Sequence, residues 1–288
     1  MIAVALFLLV GMAVAMFGAG GSFLAMPVLY YFAGVDAHQA VVMSLMVVMT
    51  ASLLGFIQYR RIGIKVPASL WMMAVAGMIA AYFGGALTPY IPEQLLLAAY
   101  GVLLMVAGVS MSCPSKTRVS SRELSGDRPA KLIAVGSGVG LLTGALGAGG
   151  GFLILPALML VSKMPMRIAV ASSAFVVMMQ SFAALFAHGE TLMAIDFSLL
   201  AGVMLFTLTG LAAGFYLVQR LQMATLSMIF AWLLIVLAAV MLLYQIYTYA
   251  ASEQMIVLFT LAMIFMVILL AATAYRSMHC LINAQQGR

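Results

Sequence analysis

Two short glycine runs are the residues of this chain best suited to chemistry. Gly18-Ala19-Gly20-Gly21 and Gly147-Ala148-Gly149-Gly150-Gly151 each interrupt an apolar stretch, and each has a proline six residues past the second of its paired glycines, Pro27 and Pro156. Consecutive glycines allow unusual backbone angles and put no side chain in a ligand's way. After each cluster the pattern predicts a new helix, starting near Ser22 and Phe23 in the first case and near Gly151 and Phe152 in the second. A helix N-terminus carries unpaired N–H groups and a partial positive charge, which makes it an anion site. Two such ends facing each other near the middle of a membrane would hold a small oxyanion on Gly20, Gly21, Ser22, Phe23, Gly149, Gly150, Gly151 and Phe152, with no Lys or Arg. Ser44, Ser173 and Gln180 are candidate further contacts. For the serines the competing role is to pack or to bond their own backbone between helices. Pro27 and Pro156 are read as structural, bending or starting the arm that follows each cluster.

The elements that position these residues follow from composition. The chain has 288 residues, 66% hydrophobic and 7% charged, with mean hydropathy +1.20. A soluble domain would be about 25% charged, and disorder requires low hydrophobicity and high charge. A β-barrel would alternate apolar and polar residues, whereas this chain runs apolar for long stretches. The expectation is an all-α polytopic membrane protein. A bilayer core needs roughly 20 apolar helical residues, and such spans fall at 38–58, 67–88, 93–112, 168–187, 196–218, 224–247 and 255–275. The glycine-interrupted stretches 2–33 and 132–161 are additional. The N-terminus lacks the basic residues of a secretory signal and is read as part of the fold.

The halves repeat. A shift of 129 superposes both glycine clusters and both prolines and continues through Ala40/Ala169, Val41/Val170, Ser44/Ser173 and Ser52/Ser181, giving 15 identities in the 36 positions from 17 to 52. One inserted residue later, Gly84/Gly214 and Leu103/Leu233 still correspond. Charge then chooses the topology. If each interrupted stretch crosses once, the 13 Lys and Arg divide 8 to 5 between the two sides. If both are re-entrant hairpins, all 13 fall on one side, and the other holds Asp36, Glu93, Glu190, Asp196 and Glu253. The positive-inside rule favours hairpins; a kinked single span is the alternative. The expected organisation is repeat 1 at 1–112 (hairpin 2–33 and three spans), a cytoplasmic linker at 113–130, repeat 2 at 131–247 (hairpin 132–161 and three spans) and an extra transmembrane helix at 255–275. Three crossings per repeat invert the second repeat relative to the first, a pattern common in transporters. The C-terminus is expected in the cytoplasm.

Other chemistries find little footing. Cys113 and Cys280 flank apolar runs, and His38, His188 and His279 show no paired metal-ligand spacing, so no metal or cofactor is expected. The net charge of +6 sits in loops and is not read as nucleic-acid binding. No phosphate-binding loop is present, and a serine nucleophile would need a positioned histidine, so the chain is not expected to be an enzyme. An anion channel, or a permease for a different small anion, is the alternative to a secondary transporter.

The repeated pattern G-x-G-G-x-F-L-x-x-P-x-L, carried by Gly18 to Leu29 and by Gly147 to Leu158, resembles the TauE/SafE family of membrane permeases. The resemblance implies a bacterial inner-membrane transporter of sulfur-containing anions such as sulfite or organosulfonates, with the glycine clusters as its signature. The partners expected are that anion and the lipid bilayer; a homodimer is left open. Ser22 departs from the duplicated pattern, since Gly151 stands in its place in the second copy. It could donate to the anion or cap the helix.

Overall fold

A computed structural model describes residues 2–17, 23–64, 66–111, 129–146, 151–161, 164–193, 195–218 and 223–253. Most of both glycine clusters, most of the linker and the expected span 255–275 lie outside these residues. The described elements are α1 (Ile2–Phe17), α2 (Ala25–Tyr31), α3 (Ala37–Arg61), α4 (Leu70–Leu87), a 3₁₀ turn (Thr88–Tyr90), α5 (Glu93–Met111), α6 (Pro129–Leu146), α7 (Gly151–Val161), α8 (Met166–Ala187), α9 (Gly189–Met193), α10 (Phe197–Val218) and α11 (Met223–Glu253). No strand occurs among the described residues. The chain is an all-α polytopic membrane protein: α3, α4, α8, α10 and α11 contain stretches long and apolar enough to cross a bilayer. Of the two other expected spans, the apolar stretch of α5 falls just short at Glu93–Val109, and 255–275 is outside the described residues. The element starts keep the sequence offset. Helices α3 and α8 begin at Ala37 and Met166, 129 positions apart, and α5 and α11 begin at Glu93 and Met223, 130 apart.

Local signals set several boundaries. The Asp36 carboxylate accepts from His38 N at the start of α3, and Asp196 Oδ1 accepts from Ser198 N and Leu199 N at the start of α10. Both acids thereby satisfy orphan amides at the positive end of a helix. Gly63, with φ +84°, ends α3 in the left-handed region, and Ile64 N returns to Tyr59 O.

The described chain forms two compact units. One comprises 1–91 and 117–223, the other 92–116 and 224–288, so the units interleave the two sequence halves. In the first unit, α6 lies against α4 through a glycine ladder. Side chains added at Gly136, Gly140 and Gly144 would collide with the carbonyl oxygens of Met73, Gly77 and Ala81. Both series advance by four, so the two helices are parallel. Helix α1 packs on α10 in the same way: Gly11 lies against Thr207 and Leu211, Gly210 against Leu8, and Gly214 against Met12 and Ala15. The two interfaces reproduce each other under the sequence offset, since Gly11 corresponds to Gly140 and Gly84 to Gly214. Gly84 meets Leu141 O just as Gly214 meets Met12 O. Small residues that let backbones touch are the usual glue of membrane helices.

Ring and side-chain contacts orient the rest. Trp71 meets Phe175, Gly77 meets Gln180 and Gly85 meets His188, so α4 and α8 are parallel. Ala51 packs with Leu211, and both Gly55 and Tyr59 approach Phe215, so α3 runs with α10. Phe56 stacks near Phe175, while α9, which follows the far end of α8, packs on α3; α3 and α8 are therefore antiparallel. The unit is thus two parallel sets, α1, α3 and α10 against α4, α6 and α8, which meet mainly at the α3–α8 contact. Among its described residues, Arg60, Arg61, Lys131 and Arg167 lie at one end and Asp36, Glu190 and Asp196 at the other.

Helices α1 and α6, the arms that precede the two glycine clusters, fall short of the length needed to cross a bilayer core. Helix α1 has 16 residues and α6 has 18, about 24 and 27 Å. Tyr59 Oη donates to Ala15 O close to the end of α3, and Thr88 Oγ1 reaches Ala145 O beyond the end of α4. Both arms follow their neighbours nearly to the end, because bare glycine backbone extends the packing surface along the helix. In the second unit α5 and α11 are antiparallel: Gln245 Nε2 donates to Gln94 O, Gly101 lies against Leu242, and Gly108 against Ala231 and Ile235.

These contacts predict the effect of single side chains. Gly144→Val, which drives a branched side chain into the Ala81 carbonyl, should destabilise the protein by at least about 1–3 kcal/mol, read as a lower thermal midpoint in detergent. Gly138→Ala, where no atom stands within 4 Å of the added methyl, should leave the midpoint unchanged or slightly raised.

Candidate functional site

The glycines at the centre of the expected site, Gly20, Gly21, Gly149 and Gly150, and Ser22, lie outside the described residues. What surrounds them is described. Helix α7 begins at Gly151, the last residue of the second cluster, and runs 11 residues with Pro156 inside it. After the first cluster a 3₁₀ turn at 23–24 leads into α2, which contains Pro27. Phe23 and Phe152, equivalent in the repeat, are both fully buried; each packs the start of its helix into the core.

The serines divide into two kinds. Ser44 Oγ donates to Val41 O at 2.7 Å and Ser173 Oγ to Val170 O at 2.9 Å, the same backbone bond at equivalent positions. That is the backbone-bonding role weighed for them from sequence. Ser52, Ser172 and Ser181 are buried with hydroxyls that have no hydrogen-bond partner among the described residues.

Gln180 is fully buried and spans three helices. Its Nε2 donates to Gly136 O at 3.4 Å, and its Oε1 stands 3.3 Å from Thr143 Oγ1, which also bonds Val139 O at 2.8 Å. The single Thr143 proton is shared between these two acceptors. The amide lies over Gly77, where any side chain would displace it. At the equivalent place in the first half, Ala51 and Val14 replace Gln180 and Thr143 and pack in an apolar cluster with Ala15 and Leu211. The two halves are thus alike in backbone and unlike in chemistry at this level. Sequence reasoning singled out Gln180 but missed Thr143 and Gly77, because nothing in linear spacing ties an amide on α8 to a hydroxyl on α6.

The acidic end holds a second polar group. His188, just past α8, is 3% exposed; its Nδ1 lies 2.9 Å from Ala184 O, and its ring occupies the space that Gly85 leaves open. Burial pushes its proton affinity below the ordinary imidazole value of 6.5; the Ala184 bond opposes this and the nearby His38 adds to it. His38 Nδ1 stands 3.8 Å from the Asp36 carboxylate. At the basic end an open cavity of about 560 Å³ is lined by Phe56, Ile57, Arg60, Arg61, Trp71 and Phe175, with the Arg60 guanidinium 6.0 Å from the Phe56 ring centre. Among the described residues no cluster of three or more potential metal ligands occurs.

Together these features define a polytopic helical membrane protein with a duplicated core and polar groups buried inside it. Residues 3–241 match the family described as sulfite exporter TauE/SafE, and the chain belongs to that family. It is 34% identical over 170 residues to a "Probable membrane transporter protein" of Xylella fastidiosa strain Temecula1, and 33% identical over 170 residues to a protein of the same description from strain 9a5c. Each alignment covers 57% of this chain and 64% of the relative, so the chain spans slightly less than two thirds of those relatives' length. No solved structure matches it.

Two outcomes follow. Gln180→Leu should lower stability by about 0.6–2 kcal/mol, the usual range for a hydrogen bond between membrane helices. Thr143→Val added to it should cost little more, because the two share one interaction; a double-mutant cycle read by thermal unfolding checks this. For His188, a folded value below the unfolded one means that the unfolded state binds more protons between them. Stability is then full above about pH 6.5 and falls as pH drops through the folded value. The thermal midpoint in detergent should therefore decline between about pH 7 and pH 5, and the His188 contribution to that decline should vanish in His188→Asn.

Proposed function

We propose that the protein is a secondary transporter that moves a small sulfur-containing anion, of the sulfite or organosulfonate type, across the bacterial inner membrane. The observation that carries this reading is the paired architecture of the first unit. Two parallel three-helix sets of opposite direction stand against each other, and the arm that precedes each glycine cluster packs on a helix of the other half. Inverted repeats that exchange elements in this way suit alternating access about a central site.

The parallel course of α1 and α3 requires the chain between them, with its glycine cluster and α2, to return to the side where α1 began. The same holds for α6 and α8. This supports re-entrant hairpins over kinked single spans. The anion binds at the helix starts that follow the two clusters, near the middle of the membrane, where backbone N–H groups and the helix dipole supply the positive potential. Ser22 adds a hydroxyl on one side only. The segregation of Arg60, Arg61, Lys131 and Arg167 from Asp36, Glu190 and Asp196 supports a cytoplasmic basic end. The arginine-rimmed cavity at that end draws anions toward it. The family supplies the sulfur substrate class; the glycine backbone supports an oxyanion site.

Ligand-dependent thermal stabilisation tests this. Purified protein is heated with sulfite, sulfate, thiosulfate and small sulfonates, alongside Gly21→Val and Gly150→Val. A ligand that binds only the native state raises the midpoint by mass action. The expected result is a shift for at least one sulfur anion that both variants abolish, because the valine side chain fills the space needed for it. A shift retained in both variants would move the site away from the clusters.

A further inference from the structure

We propose that His188 is the proton-binding site of this transporter, taking up a proton on Nε2 from the acidic end and passing its effect through the end of α4 to the last turn of α6. The proposal rests on the transport reading above and adds the coupling ion to it. Its geometry begins with an orphan atom. With Nδ1 2.9 Å from Ala184 O, the neutral ring carries its proton on Nδ1 and leaves a lone pair on Nε2. That Nε2 is buried and has no hydrogen-bond partner among the described residues, and the same is true of His38 Nε2. A buried acceptor without a donor is rare and requires a reason. A proton arriving from the aqueous phase converts Nε2 from an orphan acceptor to an N–H and leaves the Ala184 bond intact; it departs from the same atom.

The setting suits a coupling site. Between the charged ends of the first unit no acidic or basic side chain stands among the described residues of α1, α3, α4, α6, α7, α8 and α10. The titratable neighbour of His188 is His38 of α3, which stands beside Asp36, the cap of that helix; α4 contributes no charged residue. The His38 ring opposes charge on His188. A short chain of contacts leads inward. The imidazole rests over Gly85; three residues on, Thr88 Oγ1 reaches Gly84 O at 3.3 Å, Gly144 O at 3.4 Å and Ala145 O at 3.1 Å. Ala145 stands two residues before Gly147. A new charge over Gly85 therefore acts on the α4 end that holds the last turn of α6. Burial, which keeps the ring neutral near pH 7, makes loading depend on an acidic exterior.

The test uses the full chain in liposomes, with radiolabelled sulfate, thiosulfate and methanesulfonate as probes, because the charge of these anions does not change near neutral pH. Two assays run in parallel: equal exchange with no gradient, and accumulation driven by an inward acid gradient with an internal pH dye. His188→Asn keeps a donor near Ala184 O and removes the Nε2 lone pair. The expected result is exchange within twofold of wild type in the variant, with gradient-driven accumulation and dye response reduced at least tenfold. Wild-type accumulation that ignores the gradient, or a variant that still follows it, overturns the proposal while exchange leaves transport standing. Absence of exchange for every probe in the wild-type protein overturns the transport reading itself and the proposal with it. Should the variant fail to fold, proton uptake on anion binding is measured directly on wild-type protein in weakly buffered detergent at pH 6. Uptake supports the site, and none overturns it.

Discussion

Contact between bare helix backbones governs this molecule. Where α6 meets α4, and again where α1 meets α10, glycine lets one helix press on the carbonyls of the other. Inside a bilayer, lipid tails are as apolar as leucine, so burying apolar side chains gives helices little reason to associate. Close packing has to supply it. Every other feature of the first unit hangs on these two seams: the course of the long arms, the antiparallel meeting of α3 and α8, and the positions of Gln180 over Gly77 and His188 over Gly85.

The seams also explain which parts of the structure were legible beforehand. The repeat, the fold class and the helix boundaries could be read directly, because they rest on hydropathy, on glycine and proline spacing, and on the placement of charge. Helix α3 starts where Asp36 caps it, and α10 starts where Asp196 does. The pairing of each arm with a helix of the other half could not be read. Glycine seams carry no apolar stripe distinct from the lipid-facing surface, and Gly11, Gly136, Gly140 and Gly144 look like any small residues of a membrane helix. Gly84 and Gly214 were legible as a corresponding pair, but not the partners they pack on.

The polar groups show the same division. Ser44 and Ser173 were recognisable as a corresponding pair, and they make corresponding bonds. Gln180 stood out as an amide deep in a span, yet its partners on α6 and α4 come from distant parts of the chain. His188 was visible only as a residue at a span end. Its burial depends on Gly85, more than a hundred positions earlier, and no local pattern encodes that. Long-range contacts made by small residues are where reading from one sequence runs out.

The unequal filling of the two halves carries a thermodynamic consequence. If identical repeats exchanged conformations, the two end states would be related by a two-fold rotation and equal in free energy, and an unloaded carrier would divide its time evenly. Gln180 and Thr143 break that degeneracy, because Ala51 and Val14 have no polar interaction to offer in exchange. One hydrogen bond between membrane helices, about 1 kcal/mol, is enough to bias such an equilibrium by about fivefold. Under the transport reading proposed above, the divergence of the duplicated halves would set a preferred resting orientation before any gradient acts.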